Sequence, residues 1–196
     1  MAIARVKTSS ILQGFPKSRS LLAGNAAFDP GATYLIERIT VGSGGATSVT
    51  FSSIPQTYTH LQVRATTLNA SNIYSIKIRF NGDTATNYSA HQLYGTGTII
   101  GSGAETSVDI GLIGIGAVTT SLYTAATIAD ILDYTNTNKY KTVRSLSGAD
   151  GNGSGQTKFA SVNWRSTAAI TSIYINADSS TFNQYTTFAL YGIKGA

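Results

Sequence analysis

Residues Tyr74-Ser-Ile76-Lys-Ile78-Arg-Phe80 alternate apolar and polar side chains without a break, and similar short stretches recur down the chain between clusters of Gly, Asn and Ser. A period of two puts Ile76, Ile78 and Phe80 on one face and Ser75, Lys77 and Arg79 on the other, the pattern of a half-buried strand rather than a helix. Further β-rich runs are Tyr34 to Val41, Ser48 to Phe51, Leu61 to Ala65, Ser107 to Leu112, Ile128 to Tyr134, Tyr140 to Leu146, Phe159 to Trp164, Ile170 to Ile175 and Tyr185 to Ile193. Gly42-Ser-Gly44-Gly45, Gly95-Thr-Gly97, Gly101-Ser-Gly103, Asn136-Thr-Asn138 and Asp150 to Gly155 read as the turns between them. No helical stripe longer than two turns competes. The expectation is an all-β fold, an antiparallel β-sandwich of jelly-roll-like topology. Asn81-Gly82 after the first run tolerates the positive φ angles of a type I′ turn, which predicts a hairpin there.

Charge divides the chain. Met1 to Phe28 carries Arg5, Lys7, Lys17 and Arg19 and no acid, although the whole chain has 14 Lys and Arg against 9 Asp and Glu. The remainder therefore holds ten cations against nine acids and is nearly balanced, so the basic character belongs to an appendage and not to a nucleic-acid-coating surface. Residues 1–32 read as an extended basic N-terminal arm and 33–196 as the β-sandwich domain, with Asp29-Pro30-Gly31 as the hinge. Extended, 28 residues reach roughly 90 Å, enough to cross onto a neighbouring subunit. The arm's partner-docking set is Arg5, Lys7, Ile11, Leu12, Phe15, Lys17, Arg19, Leu21 and Leu22: apolar residues to bury, cations to steer.

Chemistry is sparse by comparison. With no cysteine there is no thiol nucleophile and no Cys-based zinc site. His60 and His91 lack the spacing of a helical two-histidine metal motif, and they read as strand-end or surface residues. No serine sits in a Gly-x-Ser-x-Gly elbow. Asp130 and Asp133 fall on opposite faces of an extended strand, too poorly matched for a glycosidase carboxylate pair. Asp150-Gly-Asn152-Gly-Ser154-Gly155 imitates the start of a calcium loop, but its twelfth position is Ser161 where a bidentate Glu is required. Neither a metal nor any other cofactor is expected, and the chain reads as no enzyme. Lys139, Lys141 and Arg144 gather around Tyr140 as a solvated or inter-subunit strand face, and the lone Trp164 reads as core. The longest mostly apolar run, Ile110 to Val118, is too short to span a membrane, and Gln13, Gly14, Pro16 and Lys17 interrupt Ile11, Leu12 and Phe15, so the arm has no continuous secretory apolar stretch.

Longer strings narrow the reading. Val41 to Gln62, Phe80-Asn-Gly-Asp-Thr84, Ile131 to Arg144 and the ending Phe188-Ala-Leu-Tyr-Gly-Ile-Lys-Gly-Ala196 together resemble a β-rich domain of tailed-bacteriophage virion proteins, of the minor tail, fibre-like or capsid decoration kind. The resemblance covers residues 33–196. It implies a non-enzymatic structural protein of the virion, assembled in the bacterial host cytoplasm, with tail, neck or capsid proteins as partners. It also implies a homotrimer, and the N-terminal arm as anchor. Tail or fibre association is the first placement. Capsid decoration, as a cement protein stapling capsomers, is the alternative, and a carbohydrate-binding module adsorbing to a host surface glycan is the third. Neither a membrane nor a specific nucleic acid is an expected partner.

Overall fold

The computed structural model describes residues 33–68, 75–116 and 123–195. The arm residues 1–32, with all nine docking candidates, lie outside them. Leu35–Ala196 forms one compact unit, and of the residues before it only Thr33 and Tyr34 are described.

The described residues hold twelve strands and no helix. They are β1 (Thr33–Thr40), β2 (Ser48–Phe51), β3 (His60–Thr67), β4 (Ser75–Phe80), β5 (Tyr88–Gly95), β6 (Ile100–Val108), β7 (Gly111–Ile115), β8 (Ala125–Ile131), β9 (Lys141–Asp150), β10 (Gly155–Trp164), β11 (Ile173–Ala177) and β12 (Thr187–Ile193). They form an antiparallel β-sandwich. One sheet has eight strands in the order β1-β12-β3-β8-β9-β10-β5-β6, the other four in the order β2-β11-β4-β7. Along the chain, β1, β2, β3 and β4 alternate between sheets, as do β7, β8, β11 and β12. The pairs β5–β6 and β9–β10 remain within the larger sheet and widen it.

Period-two burial builds the core. Ile76, Ile78 and Phe80 of β4 and Ile173 and Ile175 of β11 are fully buried and meet Leu61, Val63, Ile131, Val143, Phe188 and Leu190 from the opposite sheet. Each such side chain contributes about 1.5–3 kcal/mol when withdrawn from water. At one end Phe80, Tyr88 and Trp164 pack with ring centroids 5.4 to 6.3 Å apart; at the other Phe182 meets Phe188 edge-on at 4.8 Å.

Three expectations are corrected by this arrangement. Asn81-Gly82 does form the tight turn: both residues have positive φ, and the Asp83 amide donates to the Phe80 carbonyl. It does not close a hairpin, because β4 and β5 belong to different sheets. The cause lies far away in sequence. Asp83 accepts hydrogen bonds from the Trp164 indole (2.7 Å) and from Asn87 (2.9 Å), which turn the chain across the sandwich instead of back along β4.

Gly101-Ser-Gly103 is not a turn but lies inside β6. A Cβ at Gly101 would come within 2.5 Å of the Tyr94 ring, and one at Gly103 within 2.7 Å of the Gln92 amide, so the glycines make room for β5 side chains. Strand β8 ends at Ile131, which places Asp133 in the following turn with φ +48° and not on a strand face opposite Asp130.

Candidate functional site

The groups with chemical potential are spent locally. His60 Nδ1 accepts from the Asp133 amide at 2.9 Å, and Asp133 also pairs with Lys139. That Lys139 bond holds the Asp133 carboxyl below the usual carboxylate range. Asp130 accepts from Gln62 at 2.7 Å. His91 lies on β5, four strands from β3 and hence about 19 Å from it across the sheet, out of reach of any site shared with His60. Asp150 caps its own β9–β10 turn by accepting from the Asn152 amide. Among the described residues no group of three His, Cys, Asp or Glu side chains could hold a metal ion, and no helix is long and apolar enough to cross a membrane.

The basic cluster read around Tyr140 does not exist as one surface. Lys141 is fully buried, and its ammonium donates to the carbonyls of Asn136, Lys139 and Thr167, tying the turn after β8 to the segment after β10. Burial lowers its pKa. Lys139 is engaged by Asp133, and only Arg144 faces outward on the sheet. Trp164 is core, as expected, but its indole N–H needs Asp83. Burial pushes the Asp83 carboxyl up; bonds from Asn87, Trp164 and Ala85 outweigh it and hold the group below its ordinary value.

What the sequence reading missed is a surface. In the larger sheet Ile128 on β8 lies opposite Leu146 on β9, Leu146 opposite Phe159 on β10, and Phe159 opposite Leu93 on β5. Leu93 pairs with Ser102 of β6, which puts Ile100, two residues away, on the same face. These side chains are 47%, 56%, 49%, 56% and 85% exposed in that order. Five apolar residues thus cross five adjacent strands, about 19 Å, on the outside of the sandwich. Polar groups rim the row: Asp130, Arg144, Ser161 and His91 in the neighbouring register, and at the β3 end Arg64, whose guanidinium sits 4.5 Å above the Tyr191 ring.

The inner face of the same strands carries the complement. Thr127, Ser145, Ser147 and Lys158 point inward and are buried. Thr127 Oγ1, Ser145 Oγ, Gln92 Oε1 and Glu105 Oε2 are buried without a hydrogen-bond partner. Burial pushes the Lys158 ammonium below its ordinary range, against the opposing pull of Glu105. At one level of β8, β9, β10 and β5 polarity is inverted, with polar groups inside and apolar groups outside, while Ala129, Ile131, Val143, Val162 and Trp164 keep the rest of the inner face of these strands apolar. The signal was available in Lys158-Phe159 and Ser145-Leu146-Ser147, where alternation is clear, but its usual inside-outside reading is reversed. No family model, curated protein or solved structure matches the chain.

Proposed function

We propose that this chain is a non-enzymatic structural protein of a tailed-bacteriophage virion, tail- or fibre-associated, displayed as a homotrimer and anchored by its N-terminal arm. The observation that carries the reading is the outward apolar row Ile128–Leu146–Phe159–Leu93–Ile100. An apolar patch rimmed by polar residues marks a protein contact, and interface cores are depleted of charge and enriched in aromatics. The occupant is a second copy of this chain. The rim carries Asp130 beside Arg144 and Arg64, so charges of both signs are available to pair where three copies bring different parts of this face together around a threefold axis. The phage-virion resemblance of residues 33–196 supplies the setting.

The finer topology belongs to the same proposal. With β5–β6 and β9–β10 set aside as inserted hairpins, the sheets reduce to β1-β12-β3-β8 and β2-β11-β4-β7, the order of an eight-stranded jelly roll.

Two experiments test the reading. Labelled protein is localised in intact particles: density on tail, fibre or neck supports it, density along capsomer seams replaces it with the cement alternative, and absence from particles overturns it. Light scattering on a variant lacking residues 1–32 should give the mass of a trimer, with particle incorporation lost; a monomer overturns the trimer.

A further inference from the structure

The opposite solvent face, on the smaller sheet, is built differently. Beside Tyr174 and Asn176 of β11 lies a groove of about 580 Å³, open to solvent and lined also by Thr47, Ser179, Ser180 and Thr181. Its volume is in the range of small-ligand sites. Its lip is tied down. The Ala177 amide donates to the Thr47 carbonyl, Asp178 to Ser75, and Ala46 and Phe182 exchange two backbone bonds, so residues 177–182 are held against the start of β2. Ser179 takes a positive φ of 59° within this turn.

The charges beside the groove cancel in pairs. Lys77 Nζ is 3.1 Å from Asp178, and Arg79 is 2.6 Å from Asp109 while its guanidinium lies 5.5 Å from the centre of the Tyr174 ring. Arg79 is thereby pinned and in turn steadies the tyrosine. An anion would have to break one of these pairs, so the groove does not select for negative charge. It offers instead an aromatic ring, hydroxyls and one carboxamide. The Asn176 Oδ1 atom is buried and has no donor, a cost a hydroxyl-bearing ligand relieves once the amide turns outward.

We infer that this groove binds a neutral saccharide chain, one pyranose ring against Tyr174 with its hydroxyls bonded to Asn176 and the Thr47–Thr181 rim. Aromatic stacking plus a few fixed polar groups orients such a ligand without a net charge. The inference does not rest on the virion reading, and each can fail while the other stands.

Saturation-transfer NMR on the full chain tests it, with cellobiose, N,N′-diacetylchitobiose and lactose as neutral probes, each to about 10 mM, and a galacturonate disaccharide as the acidic one. Transfer to at least one neutral sugar is expected, with little to the acidic one. Tyr174→Ala should weaken it at least about tenfold. Thr47→Trp, a change at an exposed position that fills the groove and leaves the core intact, should abolish it. Co-sedimentation with cellulose or chitin then separates a site for chain interiors from one for free disaccharides. No transfer from any neutral probe, a preference for the galacturonate, or undiminished transfer in Thr47→Trp would overturn the inference.

Discussion

Strands β4 and β11 of the smaller sheet bury Ile76, Ile78, Phe80, Ile173 and Ile175 and place Lys77, Arg79, Tyr174 and Asn176, each partly buried, on the outer face, whereas at one level β9 and β10 of the larger sheet bury Lys158, Ser145 and Ser147 and expose Leu146 and Phe159. Both regions alternate equally well. The difference shows that period two sorts side chains into two faces without saying which is inside. A normal face is complete in a lone subunit. An inverted face leaves apolar area in water, and that area is stabilised only when something covers it.

The largest expected effect tests the normal region. Phe80→Ala should cost about 4 kcal/mol of unfolding free energy by denaturant titration, the size expected for a buried aromatic whose ring neighbours Tyr88 and Trp164 stay behind. A loss under about 1 kcal/mol would remove the contrast with the inverted region. Next is the buried ammonium that anchors β9. Lys141→Met leaves the carbonyls of Asn136, Lys139 and Thr167 without their donor and should cost about 3 kcal/mol.

The inverted interior should respond with the opposite sign. Thr127→Val keeps the side-chain shape and removes a buried hydroxyl that has no partner, so it should stabilise the fold by about 1 kcal/mol. Destabilisation would mean that the hydroxyl is satisfied in solution. A pH series probes the link between the regions. Asp83 and Asp133 both have folded-state values below the ordinary 3.8. Their stabilisation is therefore complete above about pH 4 and is lost as the pH falls through the depressed folded values. Asp83→Asn, which keeps an acceptor for the Trp164 indole, should flatten that acid limb; an unchanged limb would remove Asp83 from the account.

The smallest effect on folding is expected on the outward row. Leu146→Thr with Phe159→Thr should shift unfolding free energy by about 0.5 kcal/mol or less, since both side chains are half in water and threonine suits a strand. The same double change should convert the assembled protein to monomer in light scattering. A large loss of stability in the monomer, or no change in mass, would break the distinction between a face that holds the subunit together and one that holds subunits to each other.

Much of the architecture was legible in local pattern. Ser48 to Phe51 and the alternation through Phe80 mark strands that the structure contains, the turn at Asn81-Gly82 forms as its residues require, and the all-β class follows from many short strands between Gly- and Asn-rich turns. Local pattern failed where a partner was remote. Gly101 and Gly103 read as turn until the Tyr94 and Gln92 side chains above them are seen, and Asn81-Gly82 read as a hairpin until Trp164 claims Asp83. Lys141 read as a surface cation because nothing near it in sequence announces the Thr167 carbonyl.

By itself, then, the amino-acid order determined most of the strands, though not β5 or β6, many of their turns and which side chains share a face, because those depend on backbone geometry and nearest neighbours. Only the tertiary structure decided which face is inside, where buried polar groups find partners, and that Ile128, Leu146, Phe159, Leu93 and Ile100 line up across five strands. The physical reason is that burial and cross-strand register are set by strands far apart in the chain, and a period of two is unchanged when its faces are exchanged.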